Sequence, residues 1–134
     1  MKILGVGCEI VEVLRIAQMI ERHGELFLTR VFTPYEIEYC ASRKHANQQY
    51  SAHWAAKEAL LKAFGTGWQR GIRFKDFELR IDDGVRVKVA LAGIAREICE
   101  QQRVTDIQLS FSHCRTHAMA HVVVVGKEEV EEES

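Results

Sequence analysis

Apolar residues recur at helical spacing near the start of the chain. Leu14, Ala17 and Ile20 form such a stripe, which is typical of a helix with one face against a protein core. The stripe predicts a helix from Val13 to His23, and the next residue, Gly24, is a common stop signal. We expect this helix to pack through the stripe.

The rest of the chain mixes helical and strand periodicities. Residues 2–8 predict an opening strand, and the segment TPYE at 33–36 combines a capping Thr, a Pro at the first helical position and a Glu that completes a capping box. The remaining predicted elements are a helix over 47–64 closed by Gly65-Thr66-Gly67, strands FELRI and VRVKVAL around a turn at 82–84, a helix over 94–101, and strands IQLSFS and HAMAHVVVV around a turn at 114–116. The last two strands and the first are expected to share one antiparallel sheet with helices packed on it, in a single-domain α+β fold.

Length and charge limit the possible function. The 134 residues are 47% hydrophobic and 28% charged, which is typical of one soluble globular domain. We assign this domain to residues 1–126 and treat residues 127–134, KEEVEEES, as an acidic tail. The net charge is −1, but the tail contributes −4, so the body carries +3. A mildly basic body is compatible with an acidic protein partner, and no nucleic-acid partner is expected.

The chain contains no feature of a membrane or secreted protein. No apolar run approaches the ~20 residues that span a bilayer, and glutamates interrupt the N-terminus before a signal-like stretch develops. The four cysteines, Cys8, Cys40, Cys99 and Cys114, are far apart and include no C-x-x-C pair. We therefore expect a cytoplasmic protein with free thiols and no membrane partner. Cys114 as a nucleophile is disfavoured, because its neighbour His113 would point to the opposite face of a strand.

Three charged residues are the first candidates for chemistry. Glu58 and Lys62 are four residues apart on one helix face, which also suits an ordinary surface ion pair. Small residues, Ala55, Ala56, Ala59 and Ala63, surround them and leave room for another backbone or a ligand. Glu9 ends an apolar, glycine-containing strand and must face water, a cation or a base. If Glu9 and Glu58 converge, their oxygens suit Mg²⁺ with waters and phosphates as further ligands, although spacing alone does not show convergence.

Histidines recur every four residues near the C-terminus, at His113, His117 and His121. On a helix this spacing would indicate a metal-binding face, and a histidine-based zinc protein is one alternative. The valine-rich surroundings favour a hairpin instead. His113, which comes directly after Ser110-Phe111-Ser112 at a strand end, is better placed than the other two to meet a ligand.

Four blocks together resemble one protein family. In order they are GVGCEIVEVLRI, FTPYEIEYC, WAAKEALLKAFGTG and SFSHCRTHAMAHVVV, and they bracket nearly the whole chain before the tail. The chain resembles holo-(acyl-carrier-protein) synthase, the small bacterial type of 4′-phosphopantetheinyl transferase. The resemblance implies Mg²⁺-dependent transfer of phosphopantetheine from coenzyme A to a serine of apo acyl carrier protein, with release of adenosine 3′,5′-bisphosphate, as a step in fatty acid biosynthesis.

The resemblance also implies roles for individual residues. Glu58 and Glu9 match the metal ligands, with Glu9 standing where the family usually has aspartate. Lys62 matches a lysine near the coenzyme phosphates, and Glu58 and Lys62 are the implied catalytic residues. Coenzyme A contacts are implied for Lys62, Gly65, Thr66, Gly67, His113 and His53, of which His53 replaces the family's usual arginine.

Partners are implied in the same way. Arg15, Arg22 and Arg30 match the basic surface on which the family docks its acidic carrier protein. The family also implies a homotrimer in which neighbouring subunits complete each active site. Because Glu9 and His53 depart from the family pattern, a catalytically weakened carrier-protein-binding module of the same fold remains an alternative.

Overall fold

The computed structural model describes residues 1–67, 71–82 and 86–128. The helices and strands are, in chain order, β1 (Lys2–Glu12), α1 (Val13–His23), α2 (Glu25–Val31), α3 (Pro34–Ala41), α4 (Ala46–Phe64), β2 (Phe77–Ile81), β3 (Val87–Leu91), α5 (Gly93–Gln101), β4 (Val104–His113) and β5 (His117–Gly126). A short 3₁₀ helix over Phe74–Asp76 precedes β2. This order confirms the predicted α+β class.

The strands form two antiparallel sheets. One has the order β1-β5-β4, and the other pairs β2 with β3, which agrees with the predicted sharing of a sheet by the first and last strands and with the predicted hairpin. Strand β1 is longer than predicted, because its pairing with β5 continues to Glu12 opposite His117. Glu9 therefore lies within the paired strand, opposite Ala120, rather than at the strand end.

Helix α4 lies directly against β1 at two glycines. A Cβ added at Gly7 would lie 2.0 Å from the carbonyl oxygen of Ala59, and one added at Gly5 would lie 1.9 Å from that of Ala63. Only a residue without a side chain permits so close an approach of strand and helix. The contact brings side chains at the margin of α4 within reach of those on β1.

Helix α1 has the predicted bounds but a different buried face. Val13 and Ile16 are buried, whereas Leu14 of the predicted stripe is 63% exposed. Ile20 of the stripe packs against the core, but the buried positions, Val13 and Ile16, were not in the three-residue stripe. The prediction of Leu14 as a core residue is therefore wrong.

Helix α2 was not predicted from the sequence. Gly24, with φ of +53°, ends α1 as expected, but the chain enters α2 at once and buries Phe27 and Val31. The capping box that starts α3 is confirmed: Thr33 Oγ1 accepts from the backbone N–H of Glu36, and Glu36 Oε1 accepts from that of Thr33.

Some predictions fall outside the described residues. These are most of the turn at 82–84, the first residue of the VRVKVAL strand, Val85, and residues 129–134 of the acidic tail. Within the described ranges, no helix combines the length and apolar character needed to cross a bilayer. The cytoplasmic location stays a prediction.

Candidate active site

Lys62 and Glu9 form an ion pair between helix α4 and strand β1. Lys62 Nζ lies 3.0 Å from Glu9 Oε2 and also donates to the carbonyl oxygen of Cys8 at 3.2 Å. The hydrogen bond to Glu9 raises the pKa of Lys62, so the ammonium stays charged at neutral pH. The sequence offered Glu58 one turn away as the partner; the charge of Glu58 also contributes to raising the pKa of Lys62, and the ion pair with Glu9 adds a link between two different elements.

Glu9 and Glu58 line the same small cleft, with a volume of about 220 Å³. The other lining residues are Ile10, Val11, Arg15 and Trp54. Trp54, Glu58 and Lys62 are spaced at i, i+4 and i+8, so they share one face of α4. That spacing is the signal that sequence reasoning missed for Trp54. The convergence that spacing could not establish is present in the fold.

The donor set of the cleft fits a hard divalent cation. Two carboxylates supply oxygen ligands, and Mg²⁺ binds readily to one or two carboxylates when waters and substrate phosphates complete its shell. In the described part of the chain, no three His, Cys, Asp or Glu side chains come together as a metal site. Glu9 and Glu58 therefore suit a metal shared with a phosphate ligand better than one held by protein alone.

His113 lies at the opposite end of α4 from Lys62. Gln49 Nε2 donates to His113 Nε2 at 3.3 Å, and His113 Nδ1 donates to Gln48 Oε1 at 2.9 Å, with the ring in its Nδ1-protonated form. Gln48 precedes Glu58 by ten residues, a distance of about 15 Å along a helix. Within one chain, the fold does not bring His113 together with Glu58 and Lys62.

The Gly65-Thr66-Gly67 segment comes shortly after Lys62 and caps α4. Gly65 has φ of +75° and Gly67 has φ of +57°, a region that side chains rarely adopt. Among the described residues, a Cβ at either glycine would meet nothing within 4 Å. One turn after Lys62, no described residue therefore crowds the backbone at these two glycines, as close approach by a ligand would require.

His53 lies in the protein core rather than at a surface that could receive a phosphate. Its side chain is 0% exposed and packs between the rings of Tyr39 and Phe111. Nδ1 donates to the carbonyl oxygen of Gln49 at 2.8 Å, and Nε2 has no partner among the described residues. Burial lowers the pKa of His53 to about 4. This differs from the expected contact with coenzyme A, since a buried neutral ring offers no charge to a phosphate.

Basic residues of the predicted docking surface lie on neighbouring helices. Arg15 and Arg22 are on α1 and Arg30 is on α2, and all three are exposed. Arg15 also lines the cleft of Glu9 and Glu58, so the basic surface reaches the edge of the candidate site. Leu14 and Leu26 are each 63% exposed on the same two helices, which adds apolar contacts that the sequence did not suggest.

The histidine periodicity belongs to a hairpin. His117 and His121 lie on β5, where four residues of extended chain span about 13 Å, and His113 ends β4 opposite Ala118. The three side chains thus do not share one turn of a helix. No described group of residues supports the zinc alternative.

Comparisons with known proteins point to one family. The family described as the 4′-phosphopantetheinyl transferase superfamily matches residues 5–122. Holo-(acyl-carrier-protein) synthase of Rhodopirellula baltica is 44% identical over 92% of this chain and 98% of that protein. The synthase of Koribacter versatilis is 43% identical over 91% of this chain and 98% of that protein.

Solved structures agree with the sequence relatives. A holo-(acyl-carrier-protein) synthase from Neisseria meningitidis matches with a TM-score of 0.84 and 27% identity, covering 92% of this chain and 99% of that one. The synthase from Helicobacter pylori, solved in complex with coenzyme A, matches with a TM-score of 0.79 and 27% identity over 90% of this chain and 99% of that one. The sequence match over most of the chain and the shared fold together show that this chain belongs to the 4′-phosphopantetheinyl transferase superfamily.

Proposed function

We propose that this protein transfers the 4′-phosphopantetheine group from coenzyme A to a serine of apo acyl carrier protein. The observation that carries the proposal is the convergence of Glu9, Glu58 and Lys62 between β1 and α4 in a member of this superfamily. The relatives named holo-(acyl-carrier-protein) synthase and the coenzyme A complex of the Helicobacter pylori protein give the substrate pair.

The residues of the cleft have complementary tasks in such a transfer. The serine oxygen attacks the β-phosphorus of coenzyme A, the bond to the bridging oxygen breaks, and adenosine 3′,5′-bisphosphate leaves. Glu58 accepts the serine proton, and Lys62 neutralises charge on the departing bisphosphate. Glu9 and Glu58 would hold Mg²⁺, which when bound supplies charge stabilisation and orients the pyrophosphate for in-line attack.

Coenzyme contacts beyond the cleft are proposed for two places. No described residue crowds the backbone at Gly65 and Gly67, which flank Thr66 shortly after Lys62, and His113 is an exposed side chain held by two glutamines. Burial of His53 argues against including it. Arg15, Arg22 and Arg30 are proposed to dock the acidic carrier protein, and this attraction should weaken with salt.

A homotrimer would combine these separated parts into one site. Gln48, which binds His113, lies about 15 Å from Glu58 along α4 within one chain, so a neighbouring copy would supply one of the two groups. The outer face of the β1-β5-β4 sheet supports self-association, since Val6 and Ile10 are 65% and 59% exposed and Met119, paired with Ile10, is 37% exposed. Light scattering beside an activity assay tests this, and a fully active monomer would contradict it.

Weighing the carrier protein tests the proposed reaction. Apo acyl carrier protein is incubated with the purified protein, coenzyme A and Mg²⁺, and its mass is measured by spectrometry. A gain of one phosphopantetheine group is expected, and none is expected when coenzyme A or Mg²⁺ is left out. Carrier binding without any mass gain would favour the alternative of a binding module that lacks turnover.

A further inference from the structure

A buried ion pair lies beside the candidate active site. Lys57 Nζ is 2.7 Å from Glu36 Oε1, and both side chains are 0% exposed. Lys57 directly precedes Glu58 on α4, but its side chain points into the protein instead of the cleft. Glu36 was selected from the sequence only as a helix-capping residue, and Lys57 was not selected, because charged residues usually lie on a solvated surface.

Every hydrogen-bond donor of Lys57 is used. Besides Glu36, the ammonium donates to the carbonyl oxygen of Val31 at 2.8 Å and to that of Phe74 at 3.1 Å. Lys57 thereby joins α4 to the C-terminal end of α2, to α3 and to the 3₁₀ helix. Three acceptors from three different segments fix the ammonium, and with it one side of α4.

Glu36 extends the same network to the second sheet. Its Oε1 also accepts from the backbone N–H of Thr33 at 2.8 Å, and its Oε2 accepts from the backbone N–H of Leu79 on β2 at 2.9 Å. Both carboxylate oxygens are therefore occupied by short hydrogen bonds. The pair connects four segments that precede or follow α4 in the chain.

Stability alone does not explain such a pair. Removing two charges from water is costly, and a buried pair replaced by apolar residues of similar volume often leaves a protein equally or more stable. A fully satisfied buried network does, however, fix one arrangement of the elements that it joins. Such a network can therefore define geometry even where it adds no net free energy of folding.

The network fixes the rotation of α4 about its own axis. Ala59 rests against Gly7 of β1, and Lys57, two residues earlier, projects about 200° away around the helix. Glu58 lies between them, about 100° from each anchor. A helix held on both sides cannot rotate, so the carboxylate of Glu58 stays directed at the cleft that it shares with Glu9.

We propose that Lys57 and Glu36 are positioning residues that set Glu58 relative to Glu9 for binding of the metal and the pyrophosphate. The inference rests on the proposed function and assigns neither residue a contact with substrate. Sites held within about 0.5 Å depend on such supporting contacts, and a small misplacement of a reacting group lowers the rate strongly.

A double variant, Glu36→Gln with Lys57→Met, tests the proposal because it removes both charges and leaves neither buried alone. Ile98→Ala on α5 is the matched control, since Ile98 is equally buried at 1% exposure and lies on an element outside the network. Turnover on apo carrier protein and binding of Mn²⁺ alone, followed by electron paramagnetic resonance, are measured well below each variant's Tm.

A positioning role predicts at least a tenfold loss of kcat and of Mn²⁺ affinity in the double variant, with the KM for coenzyme A within threefold. The control should lose Tm but keep both quantities within twofold. The proposal would be overturned if the double variant had the same kcat and Mn²⁺ affinity as the unchanged chain. It would also be overturned if the unchanged chain did not bind Mn²⁺. Absence of turnover in the unchanged chain would instead overturn the proposed function.

A second variant keeps the test decisive if the double variant does not fold. Lys57→Arg retains the charge, but a planar guanidinium cannot direct its donors to the three acceptors of an ammonium. The same losses of kcat and Mn²⁺ affinity are expected. A folded Lys57→Arg variant with both quantities unchanged would equally contradict a positioning role.

Discussion

Lys62 on α4 donates to Glu9 on β1 across 3.0 Å, so its ammonium stands where a cation bound to that carboxylate would be. In the proposed reaction Lys62 meets phosphate and Glu9 meets metal. The ion pair between them is an arrangement of the free protein, which would have to open if Glu9 is to hold a metal. Binding of a metal by Glu9 would therefore compete with the ion pair between Glu9 and Lys62.

Lys62→Met should raise the affinity of the free protein for Mg²⁺ while it abolishes turnover. An exposed ion pair of this kind opposes the metal by up to about 1 kcal/mol, which corresponds to an affinity gain of up to roughly fivefold. Titration calorimetry without coenzyme A measures the change. Arg15→Met is the control, since it removes one positive charge from the same cleft, and an equal gain there would indicate a general charge effect instead.

Glu58→Gln should retain the fold and lose the reaction. The amide is nearly isosteric but neither accepts the serine proton nor offers a charged ligand, so kcat should fall about 10²- to 10⁴-fold. The mass assay on the carrier protein gives kcat, and thermal denaturation checks the fold. Glu97→Gln, an exposed change on α5, is expected to leave both unchanged. Comparable loss of activity in the two variants would contradict the role of Glu58.

Gly7→Ala should destabilise the protein strongly. The new methyl group would lie 2.0 Å from the carbonyl oxygen of Ala59. Because the backbone of a packed helix can move only at a large energetic cost, we expect a loss of about 3 kcal/mol in the free energy of unfolding. Urea denaturation measures it. Cys8→Ala, at the exposed neighbouring position of β1, is the control and should change stability little. A fully stable Gly7→Ala variant would mean that α4 is not held against β1 as described.

The free energy of unfolding should decrease as the pH is lowered, because His53 is buried in its neutral form. Burial lowers the pKa of His53 from 6.5 to about 4, so between those values the unfolded chain binds a proton that the folded chain does not. The stabilisation is complete above pH 6.5 and decreases as the pH falls to 4, by about 3 kcal/mol in total. Denaturation at several pH values should show this slope, and His53→Gln should flatten it between pH 4 and 6.5. His23→Gln, exposed at the end of α1, should leave the slope unchanged.

Local signals in the sequence were sufficient for most elements. The valine-rich segment HAMAHVVVV and the Thr33–Glu36 capping box predicted β5 and α3 because each depends on neighbours in the chain. Helix α2 was missed because Gly24 is a valid stop signal for α1 but carries no information about the next element. A seven-residue helix with two buried side chains is also too short to show a period.

The site was less predictable because it depends on tertiary contacts. The i,i+4 spacing offered Glu58 as a partner for Lys62, and the approach of β1 through Gly7 added Glu9, which spacing could not show. His53 was assigned to the coenzyme by its position in a motif, and only its packing revealed a core residue. The resemblance to a family predicted the reaction. It could not indicate which contacts this chain makes.

The separation of His113 from Glu58 within one chain predicts complementation between two inactive variants. If a neighbouring copy completes each site, Glu58→Gln inactivates the part of the site that one subunit supplies. His113→Ala inactivates the part that the neighbouring subunit supplies. Unfolded together and refolded as mixed trimers, two inactive proteins should regain activity, because about one site in four would join an intact half from each parent. Mixing without refolding should restore nothing. A chain that worked alone could never show such complementation.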